Sequence, residues 1–229
     1  MIKKIEILGI SLDNYTVREA MFQIEDYWID TKMSTVEAIS METLVKAQTD
    51  DLLKTCIENL DLAIICDKEI LKAAGVTSVQ RVKETADNEF FKEFMKFAVH
   101  SHKTVYLLGD TSEQTKLFQS FLKEAYAKLK IVGSYALSDC SGDYDAIINE
   151  VNIAAPDLIL SVLPIPKQEY FLQEHKGKLN AKIWYGVGEH YINRRGVSEV
   201  AGFAKKLIQK GILHSMLLRY KNDNGNGEE

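Results

Sequence analysis

Asp67 closes the apolar run Leu62-Ala63-Ile64-Ile65-Cys66. A carboxylate at the end of a buried strand is partly withdrawn from water, which suits it to taking a proton in general-base catalysis. The other use of such a residue is structural, an oxygen accepting an N–H of the helix that follows. Residue type alone leaves both open. A second apolar run, Asp157 to Leu163, is stopped by Pro164 and Pro166, and Lys167, Gln168 and Glu169 follow at once. Pro166 suits a first helical turn, so three polar side chains are expected at the carboxyl end of a strand, where open α/β sheets bind their ligands. Gly186-Val187-Gly188 also follows an apolar run, but Glu189-His190-Tyr191 supplies no third glycine for a dinucleotide turn. Gly109 precedes a helix whose N–H groups would favour a phosphate, whereas Asp110 brings its own negative charge to that place. His175 and His190 have no acidic or thiol partners at ligand spacing, and Cys56, Cys66 and Cys140 lie far apart, so no metal site is expected.

These residues need strands to present them. Ile5 to Leu12 reads as one strand or a pair of short ones, turning at Asp13-Asn14-Tyr15. Thr16 with Glu19 forms a capping-box pattern, and Val17, Ala20, Met21, Ile24, Tyr27 and Trp28 recur on one helical face. A strand at Thr35 to Ser40 leads into a helix carrying Leu44, Val45, Ala47, Leu52, Leu53 and Ile57. Gly75 to Arg81 reads as a loop over the cleft. Phe90, Phe91, Phe94, Met95 and Phe97 form an aromatic stripe at helical spacing, better read as core packing than as a cofactor box. Further strands at Val105 to Leu108, around Ile131-Val132 and at Ala181 to Tyr185 alternate with helices reaching about Leu129, from Tyr144 to Val151 and from Gln168 to Leu179. That alternation predicts an α/β fold with a doubly wound, mainly parallel Rossmann-like sheet and helices on both faces.

The 229 residues, 46% apolar and 27% charged, are expected to form a single domain over 1–221, with a disordered tail at 222–229. The net charge of -5 argues against a nucleic-acid partner. The start, Met-Ile-Lys-Lys-Ile-Glu, has no signal-type apolar core, and no uncharged stretch approaches the roughly 18 residues that span a bilayer. The expectation is a cytoplasmic protein.

Taken together, Ile7 to Asn14, Asp67, Arg81-Val82, Leu107-Leu108-Gly109, Ile131-Val132-Gly133, Asn152 with Asp157, Pro166 to Glu169 and Gly186-Val187-Gly188 resemble, in order and spacing, the WecG/TagA/CpsF glycosyltransferases. The resemblance covers nearly the whole chain. It implies inverting transfer of an N-acetylhexosamine from a UDP-sugar to an undecaprenyl-pyrophosphate-linked sugar in cell-surface polysaccharide or teichoic acid synthesis, without cofactor or bound metal. It also implies Asp67 as catalytic base, with Ser40, Arg81, Lys167, Gln168, Gly186 and Gly188 around the substrate. Arg81 offers a planar fork of donors to a diphosphate.

The chain departs from the family where function would reside. Ala38-Ile39-Ser40 stands where a Thr-Pro-Asn stretch is usual, and Asp67-Lys68 where an Asp-Gly pair is usual. Val162 and Pro164 replace glycines, as does Asp110, and Glu189-His190-Tyr191-Ile192 differs from the usual segment. These changes keep open an alternative, a non-catalytic homologue that binds a nucleotide sugar or a protein partner. Near the carboxyl end, Val200, Phe203, Ala204, Leu207, Ile208 and Ile212 recur at helical spacing. Lys205, Lys206 and Lys210, with Arg194 and Arg195 before them, make a basic face. That helix reads as a last core helix with a solvated face. A lipid-linked acceptor would instead make the basic residues a weak phosphate or lipid contact at the inner face of the membrane, strengthened by self-association into a homo-oligomer.

Overall fold

A computed structural model describes residues 4–188 and 210–220. Strands β1 (Lys4–Ile7) and β2 (Ile10–Asp13) form an antiparallel hairpin, so the first apolar run is two strands. Leu8 and Gly9 turn between them with φ of 54° and 70°, the left-handed pair a tight hairpin needs. Helix α1 (Val17–Ile29) starts at the predicted capping box: Glu19 N–H donates to Thr16 Oγ1 at 3.3 Å, and Thr16 N–H donates back to the Glu19 carboxylate at 2.8 Å.

After β3 (Ser34–Ile39), the expected single helix is two, α2 (Met41–Ala47) and α3 (Asp51–Glu58). Asp50 makes the break by capping Leu53 N–H at 3.0 Å. Strand β4 (Leu62–Ile65) leads into α4 (Lys68–Ala73) and α5 (Val79–Ala86). The loop expected to reach Arg81 therefore ends sooner, because the Ser78 hydroxyl caps Arg81 N–H and starts a helix that contains it. Helix α6 (Glu89–His100), β5 (Thr104–Gly109), α7 (Ser112–Ala125), β6 (Lys130–Ala136), α8 (Asp145–Ala154), β7 (Leu158–Ser161), α9 (Lys167–His175) and β8 (Ile183–Gly186) complete the alternation. Helices α7 and α9 stop short of the expected Leu129 and Leu179.

The eight strands form one sheet in the order β1-β2-β4-β3-β8-β7-β5-β6, parallel except for the hairpin. This is the predicted α/β class, a mostly parallel Rossmann-like sheet between helices. One face buries Ala20, Ile24 and Trp28 of α1, Phe90, Phe91, Phe94 and Met95 of α6, and Phe118 and Leu122 of α7, so the aromatic stripe is core. The other face is covered by α2, α3 and α4 over the hairpin half, and by α8 and α9 over β7 and β8. Residues 210–220 are helical and insert Leu213, 3% exposed, into the hairpin-side core. Arg194, Arg195, His190, the expected helix through Ile208 and the tail 222–229 lie outside the described residues. Among those described, no helix is long and apolar enough to cross a membrane.

Candidate functional site

Strands β4, β3, β8 and β7 are neighbours, and parallel strands finish on the same edge of the sheet. Their carboxyl ends bring Asp67, Ser40, Gly186 to Gly188 and the Val162 to Pro166 turn into one row, each step about 5 Å wide. The ends of β3 and β4 are closely tied. Cys66 N–H donates to the Ile39 carbonyl at 3.0 Å, and Met41 N–H donates to Asp67 Oδ2 at 3.0 Å. Asp67 is half-buried and gives no side-chain cap to its own helix α4. It holds the first N–H of the neighbouring helix α2 instead, which fixes the carboxylate beside Ser40. The Ser40 hydroxyl is itself spent on capping α2: it accepts Thr43 N–H at 3.2 Å and lies 2.9 Å from Thr43 Oγ1.

Arg81 stands on α5 with 8% of its surface exposed. Its Nε donates to Asn14 Oδ1 at 3.2 Å, and its Nη1 donates to Glu84 Oε2 at 3.4 Å and Thr85 Oγ1 at 3.5 Å. Burial draws its pKa below the usual arginine value. Glu84 also accepts Val17 N–H at 3.1 Å, so Arg81 belongs to a junction between α1 and α5. It lines a narrow cleft, open to solvent, with Tyr15, Ala38, Cys66, Asn88 and Tyr185. Cys66 carries this cleft to the residue next to Asp67. Ala38 contributes an apolar side chain to this wall.

Contrary to the expectation from sequence, the Pro166 to Glu169 segment does not present its three polar side chains together. Only Lys167 faces solvent, paired with Asp110 at 2.5 Å across the ends of β7 and β5. Gln168 and Glu169 turn inward and are 2% and 3% exposed. Gln168 lies flat on Gly186: a Cβ there would sit 2.4 Å from Gln168 Nε2 and 2.6 Å from its Cδ. Gly186 is thus the space in which the Gln168 amide reaches the strand ends. Gly188 has φ of 69°, a conformation glycine adopts freely, directly after Val187 N–H bonds the Ser161 carbonyl at 2.9 Å. The turn before α9 is anchored to α2 and α3. Lys46 Nζ donates to the Ile165 carbonyl at 3.0 Å, and the Tyr170 hydroxyl donates to Asp50.

Sequence reasoning missed Glu37. It sits in the middle of β3, 1% exposed, on the face shared by Trp184, Gly186, Gln168 and Glu169. Burial first, and Glu169 second, push its pKa well above the usual glutamate value. Burial likewise lifts Glu169 to about 7. The signal was legible in principle: Val36-Glu37-Ala38-Ile39 puts one carboxylate inside an apolar strand. Among the described residues, no group of three or more His, Cys, Asp and Glu is placed to hold a metal. His175 packs in the core against Phe171 and Tyr144.

Residues 5–191 match the model of the glycosyl transferase WecG/TagA/CpsF family. Among curated proteins, the chain is similar to an N-acetylglucosaminyldiphosphoundecaprenol N-acetyl-beta-D-mannosaminyltransferase of Staphylococcus aureus (strain MRSA252). The two are 23% identical over 205 residues, 89% of this chain and 77% of the relative. The protein of the same description from strain NCTC 8325 / PS 47 is 22% identical over the same shares. A match over this span, on a sheet whose central strand ends gather Asp67, Ser40, Gln168 and the 186–188 turn, means that the chain belongs to the WecG/TagA/CpsF family of glycosyltransferases.

Proposed function

We propose that this glycosyltransferase moves an N-acetylhexosamine from a UDP-sugar to a sugar carried on undecaprenyl pyrophosphate, with inversion, in the synthesis of a cell-surface polymer. The observation that carries the reading is Asp67, held at the end of β4 by Met41 N–H in the middle of the carboxyl edge of the sheet. Its carboxylate takes the proton of the acceptor hydroxyl as that oxygen attacks the anomeric carbon, and UDP leaves from the opposite side. The relatives' description names an N-acetyl-mannosaminyl group and an N-acetylglucosaminyldiphosphoundecaprenol acceptor, and we extend that chemistry to this chain. Arg81 and Gln168 serve the donor, Arg81 through guanidinium hydrogens not spent on Asn14, Glu84 and Thr85. Lys167 and Gly188 border the entrance. Ser40 acts through the α2 cap that faces Asp67.

The acceptor's lipid brings the protein to a membrane surface. Arg194 and Arg195, with Lys205 and Lys206 after them, are the proposed phosphate or lipid contacts, in a protein that works peripherally and gains contact by self-association, while Lys210 is paired with Glu69 at 3.5 Å. Release of UDP from UDP-N-acetylmannosamine, in the presence of the lipid-pyrophosphate acceptor, tests the assignment. Asp67→Asn should lower turnover by roughly two to four orders of magnitude while leaving donor affinity near that of the wild type. Undiminished turnover in that variant would sink Asp67 as the base.

A further inference from the structure

Beneath the strand ends lies a buried polar group that joins Gln168 to residues the transfer reaction does not itself use. On the face of the sheet covered by α9 and α3, five side-chain atoms are buried without a hydrogen-bond partner: both oxygens of Glu37, Gln168 Oε1, Glu169 Oε2 and Trp184 Nε1. Glu37 pairs in register with Gly186, the residue on which the Gln168 amide rests. The surrounding small cavity is lined by Thr35, Cys56, Asn59, Leu60 and Lys176 as well as the two glutamates.

Buried polar atoms left unmatched forfeit the hydrogen bonds they had with water, so the set calls for a resolution. Gln168 and Trp184 lie close enough to favour the charged form of Glu37, yet neither reaches hydrogen-bond geometry with it as an acceptor. A single hydrogen changes this. An un-ionised Glu37 has an O–H to give to Gln168 Oε1, the acceptor that lacks a donor, and a carbonyl oxygen for Trp184 Nε1–H, the donor that lacks an acceptor.

We propose that Glu37 is a positioning residue: it remains protonated and donates to Gln168 Oε1, so that the amide turns its NH₂ toward the donor cleft. An ionised Glu37 would attract the NH₂ instead and leave Oε1 facing the cleft, where it would repel the oxygens of a nucleotide sugar. The charges that face the group support the protonated form. Burial is the largest cause, and Glu169 on α9 adds a second carboxylate beside it. Cys56 on α3 has its own pKa raised, to about 11, by burial and by these same glutamates. Lys46 on α2 acts on Glu169 in the opposite sense, favouring its charge, while Asp50 at the start of α3 opposes that charge. Lys176, after α9, acts on Cys56.

The inference rests on the reading that Gln168 meets the donor, and the test separates the two. The infrared difference spectrum of wild type minus Glu37→Gln, in deuterated buffer at pH 7, should show the carbonyl stretch of an un-ionised carboxyl. Calorimetry with UDP-N-acetylmannosamine supplies the second readout. Glu37→Gln, whose own NH₂ can donate to Oε1, should bind within about threefold of wild type, and Glu37→Leu, with no donor, should bind about tenfold more weakly, the equivalent of one lost hydrogen bond. Absence of the carboxyl band overturns the proposal. So does a Glu37→Leu variant that binds like wild type while Gln168→Leu binds poorly. If Gln168→Leu itself binds like wild type, the placement of Gln168 in the donor site is what fails, and the positioning role falls with it.

Discussion

At the scale of single residues, the site depends on which atoms have been given away to the fold. Ser40 gives its hydroxyl to α2 and Arg81 gives Nε and Nη1 to Asn14, Glu84 and Thr85, so both are oriented before any ligand arrives. Gly186 gives up its Cβ. Gly186→Ala would press on the Gln168 amide and, by overpacking, should cost about 1–3 kcal/mol, readable in the urea midpoint together with a loss of donor affinity. Glu169 makes stability depend on pH. Below about pH 4.5 its carboxyl is protonated in both the folded and the unfolded chain. Between there and about 7 the folded protein keeps a proton that the unfolded chain has released, so stability falls as pH rises and the loss is complete above about 7. A melting-temperature profile over that range should slope downward in the wild type and less steeply in Glu169→Gln, where buried Glu37 alone still keeps its proton. Asp67 at a strand end was legible in the sequence because an apolar run closed on a carboxylate. The inward turn of Gln168 and Glu169 was not, since three consecutive polar residues after a proline look like surface until Gly186, fifteen or more positions away, supplies the room.

At the scale of elements, two matching clasps secure the opposite edge of the sheet. Asp61 Oδ2 accepts both Thr35 N–H and Thr35 Oγ1–H at 2.8 Å, while Asp61 N–H donates to Thr35 Oγ1 at 3.1 Å. Asp157 and Thr104 repeat the arrangement at 2.8, 2.9 and 2.9 Å. Each clasp fastens the start of one parallel strand to the start of its neighbour, β4 to β3 and β7 to β5. Asp157 entered the family pattern for a reason that is therefore structural. Asn152 is similar, bonding the Lys178 carbonyl and Asn180 N–H just before β8. Replacing Asp157 by Ala should cost about 1–3 kcal/mol through the unsatisfied groups left behind, measured by denaturant unfolding, with donor affinity unchanged because the clasp is a strand length from the site. The capping box of α1 was readable because both partners lie within four residues. The clasps join positions 26 and 53 residues apart, and no local pattern announces such a pair.

At the scale of the whole molecule, the alternation of apolar runs and amphipathic helices was enough to give the class of fold, since strands buried on both faces can only lie between helix layers. What it could not give was the order of strands. The hairpin half, β1-β2-β4-β3, meets the β8-β7-β5-β6 half between β3 and β8, and that seam is where Glu37 faces Gly186 and Gln168. The helical segment 210–220 returns to the hairpin, with Tyr220 Oη donating to Glu6 at 3.2 Å, so distant parts of the chain share one core. The clasps then acquire a mechanical meaning. The starts of the strands are fastened by backbone and carboxylate bonds, and the carboxyl ends by Cys66 N–H to the Ile39 carbonyl, Met41 N–H to Asp67 and Val187 N–H to the Ser161 carbonyl. Across that carboxyl rim reach two long side chains as well, Lys167 to Asp110 and Lys46 to the Ile165 carbonyl. Such ties swing on several torsions without shifting a strand. Admitting a substrate past them asks for new lysine rotamers, while both rims of the sheet stay pinned by their own hydrogen bonds.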